Sequence, residues 1–209
     1  MTSLSILQIA ALVVAVIFHE YSHGRIAEVL GDPTARRMGR LTLNPLPHID
    51  LFGSIILPIL LIFSGSPIVF GWAKPVPINP SYFKNPRQGM MYVGASGPAS
   101  NLLMAVAAGA LHRTGLLQPV PLLGNFLLQL VFINIVLAIF NLIPIPPLDG
   151  SRVAAALIPP HMQRTYATLE RYGILILFVV LIFFNRLFWA IIGPIISFLV
   201  GVILGRGFL

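Results

Sequence analysis

The chain has no cysteine. That excludes disulfides, thiolate metal sites and cysteine nucleophiles, so any metal must be held by histidine and carboxylate. Charge is nearly as scarce. Only 9% of the 209 residues are charged, where a soluble domain has about 25%. Six are acidic: Glu20, Glu28, Asp32, Asp50, Asp149 and Glu170. No stretch is polar and long enough to form a separate soluble domain. What the chain has instead is apolar sequence, 57% hydrophobic with mean hydropathy +0.91. The apolar runs are continuous rather than alternating, which predicts an all-α polytopic membrane protein and not a barrel.

The 13 Lys and Arg outnumber the acids and give a net charge of +7. In a soluble protein that balance would raise nucleic acid as a partner. Here the basic residues fall between apolar runs and read as topology signals beside anionic lipid, so the bilayer is the expected partner and nucleic acid is not. Residues 1–24 lack a basic n-region and a small-residue cleavage site, so they read as a retained helix and not a signal peptide.

Apolar runs predict helices at about 4–24, 90–111, 122–143, 171–185 and 187–204, each near the ~20 residues that span a bilayer. The run 52–63 is short and carries Pro58, which leaves it between a span and a re-entrant piece. Five or six membrane helices are therefore expected. Residues 65–89 hold Pro67, Pro75, Pro77, Pro80 and Pro86 among β-branched and aromatic residues. That composition opposes a helix and predicts extended segments, with an edge strand able to bind unwound substrate by strand addition. The expectation is one membrane domain over 1–209, with a catalytic core at about 1–152 and C-terminal helices at about 165–205.

The chemistry begins at His19-Glu20-Tyr21-Ser22-His23, an HExxH sequence directly after the uncharged run 4–18. Residues four apart share a helical face, so both histidines can address one ion, with Glu20 close enough to take a proton from a polarised water. Ionisable groups at membrane depth are costly and by default functional. Two histidines and one carboxylate make a catalytic zinc set. Asp149 is the best third ligand: it adjoins the run 122–143 behind three prolines, and Gly150 after it permits a tight turn. The competing reading of Asp149 is a turn residue paired with Arg152.

For one metal to touch all three, the inner ends of the first helix and the helix at 122–143 must lie at similar depth, so the two run parallel. The helix at 90–111 supplies the intervening crossing, so 52–63 should be re-entrant. Arg25, Arg36, Arg37, Arg40, Lys74, Lys84, Arg87, Arg152, Arg164, Arg171 and Arg206 then lie inside and only Arg113 and Arg186 outside, 11 against 2. The N-terminus is expected outside and the site toward the cytoplasmic face.

With HExxH on one membrane helix and NxxPxxxLDG (141–150) on a later one, the chain resembles the site-2 protease family of intramembrane zinc metalloproteases. Gly97-Pro98-Ala99-Ser100-Asn101 is similar to that family's GPxxN element. The stretches 44–50 and 71–77 look like loops of its small bacterial and archaeal members, and together the matches cover most of 15–152. The resemblance implies one zinc per chain held by His19, His23 and Asp149, Glu20 as the catalytic glutamate, and Asn141 as a polar group near the scissile carbonyl. It also implies transmembrane protein substrates and a prokaryotic cytoplasmic membrane. No PDZ or CBS domain of the kind found in some relatives is expected within these 209 residues.

Asn101 reads either as a group near the site or as an interhelical hydrogen bond, and His48 as a substrate-facing group or a loop histidine bonded locally. Two other functions compete with the protease. A membrane zinc peptidase of another family would want a downstream glutamate ligand, and Glu170 is the one available. A divalent-metal carrier would want ligands without a base, which Glu20 argues against.

Overall fold

The structure, a computed structural model, describes residues 3–64, 71–117 and 119–205. It is helical, and no β-strand forms among the described residues. The helices are α1 (Ser3–Val29), the short α2 (Thr34–Arg37), α3 (Leu57–Phe63), α4 (Pro86–Arg113), α5 (Pro121–Asn141), α6 (Asp149–Leu157), α7 (Gln163–Phe183) and α8 (Asn185–Leu204). Among the described residues, three helical stretches are long and apolar enough to cross a membrane: Ile6–Val29, Pro121–Asn141 and Asn185–Leu204.

The middle helix is α4, which packs against α1, α5, α6 and α8. Its 28 residues are ample to cross a bilayer, but it owes its place to small side chains, with Gly89, Gly94, Gly97, Ala105, Ala108 and Gly109 all buried. Between membrane helices there is no hydrophobic drive to associate, so close backbone approach at small residues carries the packing. The core beside it joins Ala11, Ala105, Leu127, Leu130, Val131, Ile135, Ile196 and Val200. The outward faces are apolar, with Ile6, Ile9, Leu12, Leu103, Val106 and Phe132 exposed.

Contacts fix the helix directions. Ala15, His19 and His23 of α1 meet Asn101, Gly97 and Val93 of α4 in reverse order. Asn134 meets Asn101, while Asp149, after α5, lies by Gly94. Both α1 and α5 therefore run antiparallel to α4 and parallel to each other, which brings Asp149 to the histidines.

Boundaries depart from the apolar runs in three main places. Helix α1 runs on to Val29, not 24, carrying the polar stretch with Arg25 and Glu28 beyond the apolar run. Helix α4 starts at Pro86, not 90, because Asn85 caps it by accepting from Gln88 N at 3.1 Å and proline suits the first helical position. Helix α7 starts at Gln163, not 171, since its first turns are polar. Asp149 does not sit in a turn: it opens α6, and Gly150 is helical. A β-carbon on Gly150 would lie 2.2 Å from the Leu142 carbonyl oxygen, so glycine serves close approach there.

The run 52–63 forms a π-helical piece, Leu51–Ile56, continuing into α3. At ~1.5 Å per residue the pair is too short for a hydrocarbon core of ~30 Å. The segment 71–79 is an irregular strap. Trp72 N donates to Gly53 O (3.2 Å) and Lys74 N to His48 O (2.9 Å). Val76 N donates to Glu20 Oε2 (2.8 Å) and Asn79 N to Asp32 Oδ2 (2.7 Å). Arg40 Nη2 holds the Lys74 carbonyl at 2.7 Å. The expected edge strand is absent over 71–89, and residues 65–70 lie outside the described residues. The physical reason is donor supply: Pro75, Pro77 and Pro80 have no N–H, and the amides of 72, 74, 76 and 79 are already bonded inward.

Candidate metal centre

His19 and His23 project one helical turn apart from α1 toward α4 and α6, with ring centroids 4.6 Å apart and planes nearly perpendicular. Nε2 of His19 lies 2.9 Å from Oδ2 of Asp149, and Nε2 of His23 lies 3.1 Å from the same oxygen. One ligand atom from each residue falls within 4.8 Å of the others. All three residues are buried, at 7%, 4% and 7% exposure.

The outer nitrogens are also engaged. His19 Nδ1 donates to Asn101 Oδ1 at 2.6 Å, and His23 Nδ1 to the Val93 carbonyl at 2.7 Å. Each bond keeps the proton on Nδ1 and leaves the Nε2 lone pair for a metal, the usual second tier of a histidine site. Asp149 divides its oxygens: Oδ2 faces the histidines while Oδ1 accepts from Arg152 Nη1 at 3.3 Å. The pairing with Arg152 and the approach to the histidines thus coexist.

The cluster fits zinc in donor type, number and spacing. A β-carbon at Gly97 would stand 2.5 Å from Cε1 and 2.6 Å from Nε2 of His19, and 2.6 Å from Cε1 of His23, so the missing side chain is what admits the imidazoles.

Glu20 follows His19 on α1 and is half-buried, with Oε2 accepting from Val76 N. Asn101, on α4, is fully buried against His19. Asn141 is the last residue of α5, and its Nδ2 donates to the Leu137 carbonyl at 2.9 Å. His48 is buried away from the cluster, its Nε2 donating to the Thr42 carbonyl at 2.9 Å, and its own carbonyl braces the strap. The side chain of Glu170 lies outside the described residues. Asn134 escaped the sequence reading, although an amide inside an otherwise apolar run was the signal. It is fully buried and accepts from Asn101 Nδ2 at 2.7 Å.

A buried His₂Asp centre with an adjoining glutamate, set among apolar helices, defines an integral membrane metallohydrolase. The comparisons with known proteins make this specific. Residues 120–184 match the model of peptidase family M50. The chain is 37% identical over 181 residues to the "Putative zinc metalloprotease YwhC" of Bacillus subtilis, covering 83% of this chain and 79% of that protein. It is 31% identical over 191 residues to the "Putative zinc metalloprotease Rip2" of Mycolicibacterium smegmatis, covering 88% and 72%. The protein of that name from Mycobacterium tuberculosis is 28% identical over 192 residues, covering 88% and 72%. No solved structure matches. The chain belongs to peptidase family M50, the site-2 protease family, and is a zinc metalloprotease.

Proposed function

We propose that the protein is an intramembrane endopeptidase, hydrolysing peptide bonds within or near transmembrane segments of other membrane proteins in regulated intramembrane proteolysis. One observation carries this reading: the cluster is buried inside a bundle whose outward faces are apolar, with Ile6, Ile9, Leu12, Leu103 and Val106 exposed. A peptide reaches such a site most directly from the bilayer, as an unwound membrane segment.

His19, His23 and Asp149 would hold the zinc. Bound there, zinc supplies a Lewis acid that lowers the pKa of water toward about 7. Glu20 takes the proton of the attacking water and later delivers it to the leaving amine. Its Oε2 is pinned by Val76 N, which leaves Oε1 to carry the proton. Asn141 is the candidate for the developing oxyanion, and to serve it must release its bond to the Leu137 carbonyl. The excess of basic residues on the loops assigned inside supports an outside N-terminus and a site toward the cytoplasmic face of a prokaryotic cytoplasmic membrane.

The test is metal content alongside proteolysis, with wild type, Glu20→Gln and Asp149→Ala purified in detergent and offered a panel of single-span helices. Zinc in wild type and Glu20→Gln, less in Asp149→Ala, and cutting by wild type alone are expected. Full zinc in Asp149→Ala would remove it as a ligand, and cutting of soluble peptides only would overturn the intramembrane reading.

A further inference from the structure

We infer that Asn134 is a positioning residue for the metal centre, acting through Asn101 to fix the protonation and orientation of His19. This rests on His19 being a zinc ligand.

The argument starts from an ambiguity of shape. The two ends of an asparagine amide are nearly the same size, so packing alone does not decide which end of Asn101 faces His19. The chemistry depends on it. With Oδ1 toward the ring, Nδ1 must carry the proton and Nε2 is free to bind metal. With the NH₂ toward the ring, Nδ1 becomes an acceptor and the proton moves to Nε2, which then cannot ligate.

Two acceptors settle the direction. Asn101 Nδ2 faces the Ala15 carbonyl at 3.2 Å and Asn134 Oδ1 at 2.7 Å. Both demand the NH₂, and the Asn134 contact is the shorter. Asn134 is in turn held one way, because its own Nδ2 donates to the Leu130 carbonyl at 2.7 Å. The polarity therefore runs from a backbone carbonyl of α5, through Asn134 and Asn101, to Nδ1 of His19. Asn134 and Asn101 are both fully buried, so water does not substitute for either. An amide serving only as glue between α4 and α5 would need no directional link to a ligand.

The experiment measures zinc affinity by chelator competition, and the visible bands of the cobalt-loaded protein, for wild type, Asn134→Leu and Asn134→Asp in detergent. Asn134→Asp keeps an oxygen facing Asn101; Asn134→Leu keeps the volume and removes the acceptor. Loss of a ligand's hydrogen-bond partner typically costs about 10–100-fold in metal affinity. One bond further out, Asn134→Leu should lose about tenfold and alter the cobalt bands, while Asn134→Asp stays within about threefold of wild type. Asn185→Leu, removing an amide bonded only to the Leu181 carbonyl, should change neither reading. If Asn134→Leu does not yield folded protein, Asn134→Ala is read in its place. An acceptor-free variant with wild-type affinity and wild-type cobalt bands, even if it melts earlier, would overturn the inference and leave Asn134 as helix packing. Equal losses in the Leu and Asp variants would also overturn it. A wild type that binds no zinc would instead overturn the reading of the centre itself.

Discussion

Gly97 and His19 meet where no side chain could stand between them: a β-carbon on Gly97 would lie 2.5 Å from Cε1 of the imidazole. Gly97→Ala must displace either α4 or an imidazole of the cluster. Overpacking of this kind costs about 1–3 kcal/mol, and each ~1.4 kcal/mol is tenfold in an equilibrium. Zinc affinity should fall about tenfold or more, read by chelator competition. Gly124→Ala is the matched control. Nothing lies within 4 Å of its β-carbon position, and alanine in the first turn of α5 should leave zinc binding unchanged and raise helix stability by at most about 0.5–1 kcal/mol.

The strap holds the glutamate. Val76 N is the donor that fixes Glu20 Oε2, and proline at 76 removes it while matching the prolines at 75 and 77. A carboxylate released from that bond samples more rotamers. Val76→Pro should lower kcat about tenfold, a modest share of the 10²–10⁴ that general base catalysis contributes. Zinc content should be that of wild type. A loss of zinc in this variant would mean that the strap supports the ligands and not the base.

How much of this was legible depended on whether the signal was chemical or geometric. HExxH and LDG announce their chemistry by residue type, and the parallel arrangement of α1 and α5 follows from asking one ion to touch both. Pro86 was misread because proline opposes a helix interior but suits its first position, and Asn85 before it was the cap. The polar opening of α7 hid from a reading based on apolar runs, since helices that leave the bilayer continue with ordinary amphipathic sequence. The edge strand failed on hydrogen-bond accounting: β-branched residues favour extension, but the partners of the strap amides come from α1, the Leu51–Ile56 helix and the loops, and sequence spacing does not reveal them. Asn101 and Asn134 meet across 33 positions, a contact that only the packing of α4 on α5 creates.

Removing the metal should loosen the whole bundle, because the cluster joins α1 to α6 across α4. A ligand that binds only the folded state adds about 4 kcal/mol when present at a thousand times its Kd. Chelation should therefore abolish cleavage and lower Tm, and zinc should restore both. In Asp149→Ala the chelator should shift Tm much less, since one of the three donors is gone. An unchanged Tm in chelated wild type would count against a centre shared by these helices.

The absence of cysteine makes the membrane orientation directly measurable, since any single introduced thiol is the only one in the chain. Thr114, after α4, and Met38, after α2, are exposed and fall on opposite sides in the proposed topology. A membrane-impermeant maleimide added to intact cells should label Thr114→Cys and spare Met38→Cys until the cells are opened. Lys84→Cys decides the segment Leu51–Phe63. The residue is exposed and lies between that segment and α4. If Leu51–Ile56 and α3 turn back, Lys84 shares the inner side with Met38 and resists the reagent. If they cross, it is labelled from outside, Asp149 and the histidines then need another way to reach the same depth, and the positive-inside argument for this chain fails with it.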